Sequence, residues 1–207
     1  PNKVYQNLQK FAPEYEHILY DDTECIAFIK KYYSLSVAMA FEKLKGAHKA
    51  DLFRYCYLYK FGGVYLDIKT ELIMPLNKVF NKNQTYSVLS IVKDTIYQGI
   101  IATPAGNPIF LKLIQFMVDL LASKRQFHYI IFTADFWHKI KEECEEKPKL
   151  GLNVNKTDPN FNYYLFQEKC SKDANDCYDG LDKYQMCCFV YDNGKKVLKT
   201  RYSDFPW

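Results

Sequence analysis

The chain reads as an α/β protein, a central mixed sheet flanked by helices in a single domain over residues 1–207, and three observations carry that reading. Segments with helical spacing of apolar residues alternate with short segments of two-residue alternation, the pattern of a sheet covered by helices. One helix passes directly into a strand across a single Gly62-Gly63 step. No internal repeat, low-complexity tract or linker divides the 207 residues, a length that suits one domain with a sizeable core.

Taken in order, residues 4–11 predict a helix, and residues 16–20 predict a strand that ends at Asp21-Asp22. Residues 24–33 predict a helix. From position 47 to 61 there is no proline or internal glycine, and Ala, Leu, Arg and Lys are good helix formers. Gly62 and Gly63 then end that helix, because glycine tolerates the left-handed backbone that closes a C-terminus. Val64, Leu66 and Ile68 alternate with Tyr65, Asp67 and Lys69, as in a strand with two different faces. Residues 86–92 and 99–103 predict further strands. Residues 108–123 predict a helix with apolar positions 110, 113, 114, 117, 120 and 121, and 132–145 predict another. Residues 145–160, rich in Lys, Pro, Asn and Asp, predict a loop. At the end, 187–191 and 196–200 predict a hairpin around Asn193-Gly194, a favoured two-residue turn.

The unit from His48 to Glu71 carries the chemistry. Asp51 and Arg54 lie three residues apart and share a helix face. The tight glycine turn brings that face beside the C-terminal end of the following strand, where open α/β sheets bind ligands. By alternation Asp67 and Lys69 point the same way, and Glu71 joins them if the strand runs on. Taken singly, Asp51 with Arg54 reads as an ordinary surface ion pair worth about 0.3–0.5 kcal/mol.

Composition narrows the class. The formal net charge is only +4 and is spread along the chain, so no basic arm argues for nucleic acid, while a mild excess of Lys suits an anionic substrate. Tyrosine is abundant, 18 residues against two Trp, which fits aromatic walls for a base or sugars as well as core packing. Seven cysteines, odd in number and without Cys-x-x-Cys spacing, predict free, mostly buried thiols in a reducing compartment, with Cys170 and Cys177 a possible pair if oxidised. No stretch approaches the roughly 18 apolar residues of a membrane span, and the N-terminus lacks a signal-peptide core. A soluble, cytoplasmic monomer is expected. The sequons at Asn83 and Asn155 carry no weight without secretion.

The pattern Lys49-Ala-Asp-x-x-Arg-Tyr55, followed by Leu58-Tyr-x-x-Gly-Gly-Val-Tyr-Leu-Asp67, resembles the DXD-type glycosyltransferases that include yeast initiating mannosyltransferases and bacterial capsular-polysaccharide sugar transferases. The resemblance is strong over residues 48–76 and extends weakly to Tyr97-Gln-Gly-Ile-Ile-Ala-Thr-Pro-Ala-Gly-Asn-Pro108 and to Pro13-Glu-Tyr-Glu-His-Ile-Leu-Tyr-Asp-Asp22. It implies a GT-A-like, Rossmann-like fold. The compact length, the richness in Tyr and Lys and the ending Ser203-Asp-Phe-Pro-Trp207 are also similar to glycosyltransferase domains of large DNA viruses, which would place the chain in the host cytoplasm. The family's apolar opening strand has no clear copy here. It is either rebuilt or lies outside this sequence.

One departure concerns metal. The resemblance puts Asp67-Ile68-Lys69 where the family has Asp-x-Asp, and a protonated lysine cannot ligate a cation. Three arrangements remain. Asp67 holds Mn2+ or Mg2+ alone among the strand residues, helped by phosphates and waters; Glu71 supplies the missing charge; or Lys69 contacts the diphosphate directly. In the family's C-terminal lid Ser203 or Asp204 would complete the metal shell, and Trp207 would cover the site.

The activity implied is transfer of a hexose or deoxyhexose from a nucleotide diphosphate sugar to a glycan, with retained configuration. UDP-glucose is the favoured donor and GDP-mannose the next. Asp51, Arg54, Tyr65, Asp67 and Lys69 would bind the donor. Gln98 or Asp94 would stabilise the cationic sugar centre, and Asp135 would orient the acceptor. Asp94 can equally begin a turn and Asp135 cap a helix. The competing class is a decayed transferase that binds a nucleotide sugar or glycan without turnover. A phosphate-handling nucleotidase fits less well, because no Gly-x-x-x-x-Gly-Lys-Ser/Thr loop is present.

Overall fold

The computed structural model describes residues 2–80, 83–171 and 187–201. In chain order the elements are α1 (Asn2–Phe11), α2 (Asp22–Tyr32), α3 (Leu35–Lys43), α4 (Ala47–Phe61), β1 (Gly63–Leu66), β2 (Glu71–Leu72), β3 (Thr85–Leu89), β4 (Ile96–Thr103), α5 (Pro108–Ala122), α6 (Ile131–Glu143), β5 (Gly151–Asn153), β6 (Tyr163–Ser171), β7 (Cys187–Asp192) and β8 (Lys195–Arg201). The strands form one mixed sheet in the order β1-β4-β3-β6-β7-β8-β2, with β5 paired to β6. Among the described residues only β3 and β6 run parallel, and the other pairings are antiparallel. This is the expected α/β architecture, a mixed sheet flanked by helices and consistent with a GT-A-like fold.

Alternation along the inner strands feeds two cores. Ile101 and Leu165 pack with the apolar sides of α2 to α6, while Ile100, Ala102 and Phe166 face Leu72, Leu76, Phe80 and Leu198 on the other side. There α1 lies along the edge strand β2. The Asn7 amide donates to the Leu72 carbonyl at 2.9 Å and accepts from its N–H at 2.8 Å, which occupies an edge that would otherwise stay open to another chain.

The join of α4 to β1 follows the sequence reading. The Gly62 N–H closes on the Leu58 carbonyl at 2.9 Å, with φ 65° and ψ −153°. A β-carbon there would lie 2.5 Å from the Ala105 nitrogen and 2.8 Å from the Thr103 oxygen, both backbone atoms of the segment that ends β4. Only glycine fits. Gly62→Ala is expected to cost at least about 1–3 kcal/mol of stability, the scale of one strained backbone position. The urea midpoint measures it, and a clear fall without a change in slope is expected.

Elsewhere the structure corrects the sequence reading. Residues 16–20 form no strand; Leu19 is 75% exposed, and Tyr20 packs against Phe28, Phe53 and Tyr57. The segment 145–160 is not all loop, since β5 pairs with β6 there. Asn155 is only 2% exposed and its amide oxygen gathers Thr157 and Asp158, so its sequon is closed to modification in the folded chain. The hairpin is as expected: Asp192 pairs with Lys195, and Asn193 and Gly194 both take positive φ, 46° and 82°.

The thiols are the further correction. Cys25, Cys56 and Cys144 are free and buried, and burial pushes the Cys25 thiol up to about 12 and the Cys144 thiol up to about 11. Cys170, however, is opposite Cys188 in the register of β6 and β7 and is joined to it by a disulfide. That pairing replaces the expected Cys170–Cys177 alternative. Closing an 18-residue separation is worth roughly 3 kcal/mol. Cys170→Ser is therefore expected to lose about that much in denaturant unfolding, with dithiothreitol reproducing the loss in the unmutated chain.

Candidate active site

The polar face of α4 meets the end of β1 as the spacing predicts, but the pair is not a surface one. Asp51 is 6% and Arg54 3% exposed. Helix α4 is covered on most sides, with every residue from Asp51 to Cys56 buried, so its polar residues had to find partners inside. Arg54 Nη2 lies 3.1 Å from Asp51 Oδ1 and 3.6 Å from Asp67 Oδ1. Its Nε donates to the Ala50 carbonyl at 3.1 Å, Nη1 donates to the Gln98 carbonyl on β4, and the guanidinium sits 4.4 Å above the Tyr65 ring. Burial alone would lower the Arg54 pKa, but Tyr65, Asp51 and Asp67 outweigh it and hold the pKa above the ordinary value.

Asp67 is the open end of this network. It follows the last residue of β1, its N–H bonded to the Gly99 carbonyl at 2.8 Å, and its side chain is 37% exposed. Tyr65 donates its hydroxyl to Asp67 Oδ1 at 2.8 Å. Burial, and to a lesser degree the Asp67 charge, raise the Tyr65 pKa, as they do that of Tyr97. Tyr97 folds across Gly99: a β-carbon at position 99 would lie 2.2 Å from the Tyr97 hydroxyl and 2.8 Å from Asp67 Oδ2. On the far side of Asp51, His48 Nδ1 lies 3.0 Å from Asp51 Oδ2, and the His48 ring packs 4.7 Å from Tyr129 and 4.8 Å from Phe132. Tyr129 is half exposed at this edge.

The structure thus brings together Asp51, Arg54, Tyr65, Asp67 and Gln98. Gln98 is 5% exposed and stands behind Arg54, its Oε1 accepting from the Tyr55 hydroxyl and its Nε2 without a partner. Asp94 and Asp135 lie around a separate depression with Trp137. Ser203, Asp204 and Trp207 lie outside the described residues.

The strand does not run on through Lys69. The Thr70 N–H bonds back to the Asp67 carbonyl at 2.8 Å, so Ile68 and Lys69 form a turn. Alternation therefore places neither Lys69 nor Glu71 beside Asp67. Glu71 opens β2 instead, 3.9 Å from the buried Lys199. Among the described residues, three potential metal ligands gather only at Glu168, Cys170 and Cys188, and the two sulfurs there are already bonded to each other. Among the described residues Asp67 brings an exposed carboxylate to the strand end, which fits a hard cation that draws other ligands from substrate and water.

Sequence reasoning missed His48, Tyr55, Tyr97 and Tyr129. His48 was within reach of it, because it precedes Asp51 by three residues and so shares its helix face.

Fold and site together define a GT-A-like α/β protein whose polar centre is a buried aspartate–arginine pair capped by a half-open aspartate. Residues 1–87 match a family model described as a glycosyltransferase sugar-binding region containing a DXD motif. An initiation-specific alpha-1,6-mannosyltransferase of Candida albicans is 28% identical over 149 residues, which are 60% of this chain and 39% of that protein. The protein of the same name from Saccharomyces cerevisiae is 32% identical over 94 residues, 43% of this chain and 20% of that protein. The chain therefore spans well under half the length of these curated relatives. No solved structure gives a significant match.

Proposed function

We propose that the chain is a glycosyltransferase that moves a hexose from a nucleotide diphosphate sugar to a glycan hydroxyl. The observation that carries this reading is the buried Asp51–Arg54 pair closing on Asp67 at the end of β1, inside the region that matches the sugar-binding family. Arg54 and Tyr65 hold the partly exposed Asp67 carboxylate in place, so a donor would meet a group already oriented, which lowers the cost of ordering at the reaction. The names of the two fungal relatives bring mannose forward as the sugar. UDP-glucose stays a donor to be tested beside GDP-mannose.

In the reaction the anomeric carbon–oxygen bond to the diphosphate breaks and a bond to the acceptor oxygen forms. The acceptor proton leaves with the diphosphate. Charge builds on the departing diphosphate, and fixed positive charge lowers that barrier. A Mn2+ or Mg2+ ion held by Asp67 and the diphosphate oxygens would supply it. Lys69, in the turn after Asp67, is the second candidate. Arg54 holds Asp67 in place, and Tyr65 orients its carboxylate.

The test is nucleotide release. Purified protein is incubated with GDP-mannose or UDP-glucose, with manganese or with chelator, and free nucleoside diphosphate is measured. Release from one donor that manganese supports and Asp67→Asn abolishes agrees with the proposal. A folded protein that binds a donor but never releases nucleotide, even with saccharide acceptors present, would make it a binding module.

A further inference from the structure

On α6 and the turn before β4 lies a depression of about 350 Å3 that the donor network does not use. Its wall includes Asp94, Phe116, Ile131, Asp135, Trp137 and Lys141, an apolar lining with a few polar groups and room for one sugar ring. Trp137 is fixed there, because its indole N–H donates to Asp94 Oδ1 at 3.1 Å. Asp94 reaches it from a left-handed backbone, φ 59°, which non-glycine residues seldom adopt.

Asp135 is the feature that needs an explanation. Its Oδ2 is buried without any hydrogen-bond partner, a state that costs the folded protein the desolvation of an acceptor with nothing in return. Burial raises its pKa, with Lys139 and His138 working against the rise. The same side chain acts electrostatically on Tyr55, whose hydroxyl donates to Gln98, whose carbonyl in turn accepts from Arg54. The depression is thus one buried tyrosine away from the donor network.

We propose that this depression is the acceptor subsite, holding one hexopyranose unit of the glycan with a sugar hydroxyl donating to Asp135 and the ring against the Trp137 and Phe116 wall. The inference rests on the transferase reading. Asp94 and Asp135 share this wall with Lys141 and His138, so neither sign of charge dominates it, and the lining suits a neutral polyol that brings its own donors to the unpartnered Asp135 oxygen. Asp135 is here a binding residue, not the acid or base of the transfer.

The experiment observes the indole N–H resonances of 15N-labelled protein during titration with methyl α-mannoside and with mannobiose. The sequence has two tryptophans, so Trp207→Phe assigns the Trp137 signal. The expected result is a saturable shift of the Trp137 resonance by saccharide, weakened at least tenfold in Asp135→Ala. Asp135→Asn, which keeps an acceptor oxygen and the side-chain volume, should retain more of the affinity than Asp135→Ala. A Trp137 signal that ignores both saccharides, moves equally in Asp135→Ala, or answers to inorganic phosphate instead would overturn the subsite. Donor affinity is measured on the same samples. Donor binding without saccharide binding defeats the subsite and leaves the transferase standing, whereas saccharide binding without donor binding supports the hexose site and defeats the transferase.

Discussion

Replacing Arg54 with methionine is expected to cost about 3–5 kcal/mol of stability and to remove donor binding with it, because truncating one partner of a buried ion pair leaves the other uncompensated. Two carboxylates are at stake here, Asp51 at 3.1 Å and Asp67 at 3.6 Å, together with the carbonyls of Ala50 and Gln98 that the guanidinium also serves. Methionine keeps the packing of the stem while deleting every donor. Arg54→Lys should rescue little, since a single ammonium cannot span four acceptors held in a planar fork. Urea unfolding of the three proteins checks this. An Arg54→Met midpoint close to the parent value would mean that the pair is solvated and that the site is not the rigid centre described above.

Asp67→Asn should divide the two properties. The Asp67 side chain is over a third exposed, and Arg54 retains Asp51 and the Gln98 carbonyl without its charge, so stability is expected to move by no more than about 1 kcal/mol. Transfer should fall by about 10²–10³, the cost of losing one group that stabilises charge in the transition state. Measured kcat/KM against the urea midpoint separates a functional carboxylate from a structural one. Loss of both together would place Asp67 in the folding core with Arg54.

Much of the polar cluster around Arg54 was legible in the sequence because its determinants are local. The three-residue spacing of Asp51 and Arg54 and the helix stop at Gly62 need nothing beyond neighbours in the chain. The Asn193-Gly194 hairpin was legible for the same reason. What escaped depends on distant partners. Whether Lys69 continues a strand or enters a turn depends on how far β1 stays paired with the distant β4, and the last bond between them is from the Asp67 N–H to the Gly99 carbonyl. Strand β6 is covered on both faces along much of its length, so its residues lack the clean alternation that marks a half-buried strand. Its pairing with β7 also sets Cys170 opposite Cys188, a register that cysteine spacing cannot reveal. Burial of the Asp51–Arg54 pair was hidden likewise, since only packing of the whole of α4 turns a surface-like motif into an interior one.

Asp67, steadied by Arg54, is the proposed centre of a sugar-nucleotide site. Calorimetric titration of the purified protein with GDP-mannose and UDP-glucose, each with manganese and with chelator, and of Asp67→Ala in parallel, tests it most directly. The expected result is binding of one donor that manganese strengthens and Asp67→Ala abolishes. Heat of binding that is identical in Asp67→Ala, or absent for every donor with a correctly folded protein, would contradict it.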